Sequence, residues 1–168
     1  MTTIDWRARA ADTQFSVRNF INGQYQDCVG PKTIQKFAGR NGQLLYEFAN
    51  GDGSEVAAAV PAAVANARQA FDDGRWRNLS SGERAAVLNK LADLIDSHRE
   101  TLALYESMDV GKPISKALSD DLGGLPAGLR EATANVDKLQ GNCGTDQGCL
   151  IYQSHQPVGV VAGILGWN

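Results

Sequence analysis

Hydrophobic and polar positions alternate along the chain in a way that divides it into short strand pairs, then helices, then strands again. Phe20-Ile21-Asn22-Gly23-Gln24-Tyr25 places apolar residues before an Asn-Gly turn and an aromatic after it, which predicts a hairpin. A second pair is predicted at residues 33–37 and 44–48, flanking the turn Arg40-Asn41-Gly42. Residues 56–71 are alanine-rich and helical, stopped by Asp72-Asp73-Gly74. Pro61 fits only a helix that starts near Val60 or one that kinks there. Ser80 with Glu83 three residues on is a capping box, opening a helix that should run to Gly111 and Pro113. Its apolar face is predicted to be Val87, Leu88, Leu91, Leu94, Ile95 and Leu102.

Leu118, Leu122, Leu125, Leu129, Ala132, Val136 and Leu139 then repeat at helical spacing. Gly123, Gly124, Pro126 and Gly128 interrupt that stripe, at a helix-propensity cost of roughly 6 kcal/mol in sum. A break near residues 123–126, giving two helical pieces, is the expectation. Residues 141–148 read as a connection to a strand at residues 149–152. After Pro157, residues 158–165 are apolar on both sides and β-branched, the pattern of a strand at the buried centre of a parallel sheet. Residues 1–18 are polar and read as a loosely held arm.

The 168 residues, 43% hydrophobic and 21% charged, suffice for a domain with a core and argue against disorder. A net charge of -3 leaves no basic surface for nucleic acid or anionic lipid. No apolar run reaches membrane-spanning length, and residues 1–20 lack a secretory core. Three cysteines, Cys28, Cys143 and Cys149, are too few and odd in number for a disulfide framework, so the expected compartment is the cytoplasm. None has a histidine or glutamate placed to activate it as a nucleophile, and Cys143, Cys149 and His155 make a poor metal set. His98 and His155 read as surface residues. Gly159 and Gly163 belong to no Gly-x-Gly-x-x-Gly loop and instead suit close packing of a helix.

Four segments in register resemble the N-terminal portion of the aldehyde dehydrogenase superfamily. They are the hairpin at residues 20–25, the helix at residues 84–95, Glu106-Ser107-Met108-Asp109-Val110-Gly111-Lys112-Pro113-Ile114, and residues 157–168 ending in Gly166-Trp167-Asn168. The wording is most similar to the γ-glutamyl-γ-aminobutyraldehyde or aminoaldehyde type. The resemblance implies an α/β fold in four parts. These are an arm at 1–18, hairpins and helices of the cofactor-binding domain at 19–148, an oligomerisation-type strand and turn at 149–157, and the start of the parallel cofactor sheet at 158–168.

In the family, the strand's carboxyl end faces the cofactor cleft. The resemblance therefore implies that Ile164, Leu165, Gly166 and Trp167 line the nicotinamide side. Asn168 would donate its amide to the oxyanion formed when a thiolate attacks an aldehyde, a contribution of roughly 3 kcal/mol in a comparable site. Asp109 would sit where some members bind a monovalent cation; the plain alternative is a helix-terminal carboxylate near Lys112. Two positions depart from the family pattern. Gly166 stands where proline is usual, and Ala38-Gly39 stand in place of an Asn-Pro pair.

The family's nucleophilic cysteine and general-base glutamate match nothing in these residues. The implied function is thus a portion of an NAD(P)-dependent enzyme that oxidises aldehydes to acids. NAD or NADP belongs to the intact parent, with no tight binding expected of this chain. The alternative is a non-catalytic protein that docks on full-length aldehyde dehydrogenase subunits through residues 150–152. Expected partners are an aldehyde in the parent and a homo-oligomer or full-length homologue; nucleic acid and membranes are not.

Overall fold

The computed structural model describes residues 4–27, 32–49 and 53–166. The chain opens on a short helix rather than a loose arm. Helix α1 (Trp6–Ala11) is capped by Asp5, whose carboxylate accepts from the Arg7 and Ala8 amides at 3.0 Å. Arg9 reaches Glu100 at 2.7 Å, and the Phe15 ring lies 5.0 Å from that of Tyr46 and 5.3 Å from that of Tyr105. These contacts tie residues 5–15 to the body, correcting the expectation for the part of 1–18 that is described.

Both predicted hairpins are present. Strands β1 (Asn19–Ile21) and β2 (Gln24–Gln26) pair antiparallel, with Phe20 opposite Tyr25. Asn22 and Gly23 take positive φ (54° and 74°), as a two-residue turn of this hand requires. Strands β3 (Thr33–Phe37) and β4 (Leu44–Ala49) pair with a bulge at Lys36/Phe37.

Helix α2 (Gly53–Asp72) starts well before Pro61 and contains it, so the start near Val60 is not what forms. Ser80 and Glu83 make the predicted capping box, and α3 (Ser81–Ser97) follows. The single helix expected up to Gly111 is two, because His98 (φ -102°, ψ 9°) separates α3 from α4 (Arg99–Val110). The Ser97 hydroxyl donates to the Leu94 carbonyl at 2.9 Å, a local bond that competes with the helical ladder at that point. Helix α4 ends on Gly111 in the left-handed conformation, φ 84°.

The break expected at residues 123–126 is not there. A short helix α5 (Ile114–Lys116) passes into a π-helical turn at Ala117–Asp121, and α6 (Leu122–Ala134) runs uninterrupted through Gly123, Gly124, Pro126 and Gly128. The irregularity falls one turn earlier, where the Arg99 guanidinium donates to the Leu118 carbonyl at 2.6 Å. Burial offsets the poor propensity of α6: Leu122, Pro126 and Thr133 are all buried on one stripe. The Thr133 hydroxyl lies 2.9 Å from Asn89 Oδ1, and Arg130 bridges Asp93 and Asp96 at 2.7 and 2.8 Å, fixing α6 along α3.

The core is small. Ala103, Ala117 and Leu122 are buried together, with Ile95, Ile114 and Leu118 packed around them. Only part of the apolar face predicted for residues 81–111 reaches it; Val87, Leu91 and Leu94 on α3 and Leu102 on α4 are 38–51% exposed.

Residues 141–148 are not merely a connection, since they contain β5 (Cys143–Asp146). It pairs with β6 (Cys149–Tyr152) across a turn at Gln147 and Gly148, both at positive φ. The expected strand at residues 158–165 is not formed; residues 153–166 carry no regular structure. A central parallel strand needs neighbours on both edges, and the described strands form only three separate antiparallel pairs.

Candidate functional site

The segment that carries the resemblance to a cofactor cleft is the extended stretch after β6. Gly159 takes φ 97°, a value that favours glycine, and a Cβ there would lie 3.5 Å from the Arg68 guanidinium of α2. Beyond it the chain leaves the body. Ile164 is 100% exposed and Leu165 91% exposed, and Gly166 is exposed too. Trp167 and Asn168 lie outside the described residues. No described element stands opposite Ile164 and Leu165, so they offer one wall of a cleft and no cradle for phosphates. These residues do not by themselves fit a dinucleotide.

The other sequence candidates separate clearly. Cys143 and Cys149 are exposed thiols on the free β5–β6 hairpin; Cys28 lies outside the described residues. Among the described residues no group of three metal-binding side chains forms. His98 and His155 are exposed.

Asp109 does not pair with Lys112. Its carboxylate accepts from the Tyr46 hydroxyl at 2.7 Å, and the Lys36 ammonium lies 3.7 Å away. Partial burial, the hydrogen bond to Asp109 and the charge of that carboxylate push the Tyr46 phenol up to about 12. Lys112 instead holds Asp121 at 2.7 and 2.8 Å and lies 3.6 Å from Glu106. The hydrogen bond to Asp121 is the largest cause that raises the Lys112 ammonium above its ordinary value. Two acidic partners thus draw Lys112 away from its near neighbour in sequence.

The sequence reading missed a groove of about 820 Å³ between α1, the β3–β4 turn and the end of α4. Trp6, Arg7, Arg40, Met108 and Lys112 are among its walls, and no carboxylate lines it. Ser107 is spoken for there, since its hydroxyl donates to the Lys112 carbonyl at 2.6 Å. The groove therefore holds no activated nucleophile or base. The signal that would have found its first wall was Asp5 as a helix cap before Trp6-Arg7-Ala8-Arg9-Ala10-Ala11.

The described residues form an α/β arrangement of antiparallel hairpins and paired helices. Residues 26–168 match the aldehyde dehydrogenase family, and the chain belongs to that family. It is 36% identical over 164 residues to the NADP/NAD-dependent aldehyde dehydrogenase PuuC of Escherichia coli K12, covering 97% of this chain and 32% of that protein. Its structure is similar to that of a γ-glutamyl-γ-aminobutyraldehyde dehydrogenase from Burkholderia cenocepacia, with TM-score 0.76, 33% identity, and coverage of 85% of this chain and 28% of that one. The same TM-score and coverages, at 34% identity, hold for the Pseudomonas syringae indole-3-acetaldehyde dehydrogenase in complex with NAD+. The chain spans about a third of the length of the curated relatives it matches, their N-terminal portion. No described helix is long and apolar enough to cross a membrane.

Proposed function

We propose that this chain supplies the N-terminal part of an NAD(P)-dependent aldehyde dehydrogenase, whose intact form oxidises an aldehyde to a carboxylic acid. The observation that carries the reading is the family match across residues 26–168 at about a third of the relatives' length. In that intact form residues 158–168 begin the parallel cofactor sheet, and Ile164, Leu165, Gly166 and Trp167 line the nicotinamide side of the cleft. Asn168 donates its side-chain amide to the oxyanion that develops when the family's thiolate attacks the aldehyde carbonyl. A neutral amide suits that position because it stabilises negative charge without titrating itself. NAD or NADP would supply the hydride acceptor to that intact form.

The 168 residues alone carry no turnover in this reading, and tight cofactor binding is not expected where Ile164 and Leu165 face solvent. The substrate class is proposed as aminoaldehydes, on the similarity to the γ-glutamyl-γ-aminobutyraldehyde enzyme.

The test is a covalent chimera in which residues 1–168 replace the matching segment of the E. coli relative. Expected is NAD(P)-dependent aldehyde oxidation that Asn168→Ala lowers in kcat by on the order of 10²–10³, with a smaller effect on KM. A folded but inactive chimera sinks the reading, and an unaltered kcat in the variant sinks the role of Asn168. Turnover by the isolated chain would overturn its assignment as a partial unit.

A second reading has one observation in its favour. Leu150, Ile151 and Tyr152 are exposed on β6, whose outer edge no other described strand pairs. In this reading the hairpin docks the chain on full-length aldehyde dehydrogenase subunits, or on a second copy. Co-purification with a full-length homologue, lost on Ile151→Lys, is the expected result; a monomer with and without the homologue removes it.

A further inference from the structure

A lysine on the covered face of a strand is uncommon, and β3 carries one. Lys36 pairs across the hairpin with Tyr46, beside the bulge at Lys36/Phe37. Cross-strand partners share a face, and a bulge re-aims the side chain next to it. Both side chains converge on one oxygen of Asp109, in the last turn of α4. The Tyr46 hydroxyl donates to Oδ1 at 2.7 Å, and the Lys36 ammonium lies 3.7 Å from the same atom. The Lys36 and Asp109 side chains are 22% and 20% exposed, less than either member of any other ion pair among the described residues.

The charge around the end of α4 calls for a cation. A helix carboxyl end is itself partly negative, the last turn of α4 holds no basic residue, and Glu106 and Asp109 add two carboxylates nearby. Lys112 serves Glu106, 3.6 Å away, together with Asp121. Asp109 draws Lys36 from β3. The resemblance implies a different occupant for this place, a monovalent metal ion on Asp109, and the donor set does not fit that ion. A metal cation is held by oxygen lone pairs, whereas an ammonium has three donors and no acceptor. An ammonium 3.7 Å from Oδ1 also repels a second cation at that oxygen, and in a largely covered site water screens the repulsion poorly.

We propose that the Lys36 ammonium stands in place of a monovalent metal ion at Asp109. The chain then carries, in its own sequence, the cation that holds the end of α4 against the β3–β4 hairpin, and its stability does not depend on potassium or sodium. The Asp109 carboxylate and the Tyr46 oxygen remain as acceptors once the ammonium is taken away, so its loss opens the position to a metal ion. This rests on the family reading only for the expectation of an ion at Asp109, and no part of it involves turnover.

The experiment melts the 168-residue chain and its Lys36→Met variant in potassium, sodium and choline chloride at one ionic strength, with choline controlling for general screening. Expected for the wild type is the same Tm in all three salts. Lys36→Met should melt roughly 2–4 °C lower in choline chloride, the shift that loss of a partly covered ion pair brings in a chain of this size. Potassium or sodium chloride should then raise its Tm, as any ligand of the folded state does, and Lys36→Met/Asp109→Asn should lose that response. A wild-type Tm that either metal ion raises above its value in choline overturns the proposal. So does a Lys36→Met variant whose Tm is lowered equally in the three salts, which is what a plain structural ion pair would give, or a metal-ion response that survives Asp109→Asn. Should Lys36→Met fold in none of the salts, the sodium NMR line width measured with the wild-type chain decides. Broadening that Asp109→Asn abolishes overturns the proposal; a line width that Asp109→Asn leaves unchanged upholds it. An inactive covalent chimera leaves the stand-in untouched, and a cation-responsive wild type leaves the chimera's result standing.

Discussion

Gly39 and Gly111 meet where the β3–β4 turn crosses the end of α4. A Cβ on Gly39 would sit 3.0 Å from the Val110 carbonyl oxygen, and one on Gly111 would sit 3.3 Å from Gly39. Both obstacles are backbone, which cannot swing aside. Gly39→Ala is expected to cost on the order of 1–3 kcal/mol, read as a lower Tm. Gly111→Ala adds the strain of φ 84° to a similar contact. The departure at Ala38-Gly39 from the family's Asn-Pro pair thus has a local meaning here: a bulkier residue at position 39 meets α4. On β4, Tyr46→Phe removes the hydrogen bond to Asp109 and should cost about 1 kcal/mol at neutral pH. The folded phenol, at about 12, lies above the unfolded value near 10. The stabilisation is therefore complete below about pH 10 and is lost as pH rises toward about 12. Unfolding of wild type and Tyr46→Phe followed across that window should converge; a constant gap would refute the linkage. None of this was legible in the sequence. Tyr46 and Asp109 are 63 positions apart, and the charge pairing that proximity favours, with Lys112, loses to Asp121 and Glu106.

Elements were legible where the local chemistry is self-sufficient. Asn22-Gly23 sets its own turn, and Ser80 with Glu83 closes its own capping box, with the Ser80 amide bonding the Glu83 carboxylate at 2.8 Å. The Ser80 hydroxyl foremost, and then that backbone bond, hold the Glu83 carboxyl below its usual range. Ser80→Ala should cost about 1 kcal/mol. The part that depends on Glu83 ionisation is present above the ordinary carboxyl range and fades as pH falls through the lowered value. Elements were misread where a tertiary contact overrides propensity. Residues 122–134 stay helical because Leu122, Pro126 and Thr133 are buried, and β5 exists because Gln147 and Gly148 fold Cys143–Asp146 onto β6. The glycines of α6 then carry an unspent reserve of stability. A Cβ on Gly124 meets nothing within 4 Å, so Gly124→Ala should stabilise the chain by about 0.5–1 kcal/mol. A lower Tm for that variant would mean that the exposed side of α6 is covered in solution.

At the scale of the whole molecule, the part of the candidate site that was legible was its sequence, and the part that was not was its shape. Residues 158–165 have the composition of a central strand, yet composition cannot supply the neighbours whose backbone groups would complete the ladder. In the isolated chain, the last described backbone bond along this stretch is from the Gln153 amide to the Asn142 carbonyl at 2.8 Å. Amide hydrogens at 154–166 should therefore exchange almost as fast as in an unfolded peptide, while those of α3, α4 and α6 are protected. Carried in the covalent chimera, residues 158–165 should gain protection comparable to those helices, because strands then lie on both sides of them. The contrast separates two accounts of the exposed Val158, Val161, Ile164 and Leu165. If the segment is a strand awaiting its sheet, protection appears only with the sheet. If it is protected in the isolated chain, it has found a partner within these 168 residues or in a second copy. Equal and fast exchange in both settings would show that the family's cofactor strand has been lost from this sequence altogether.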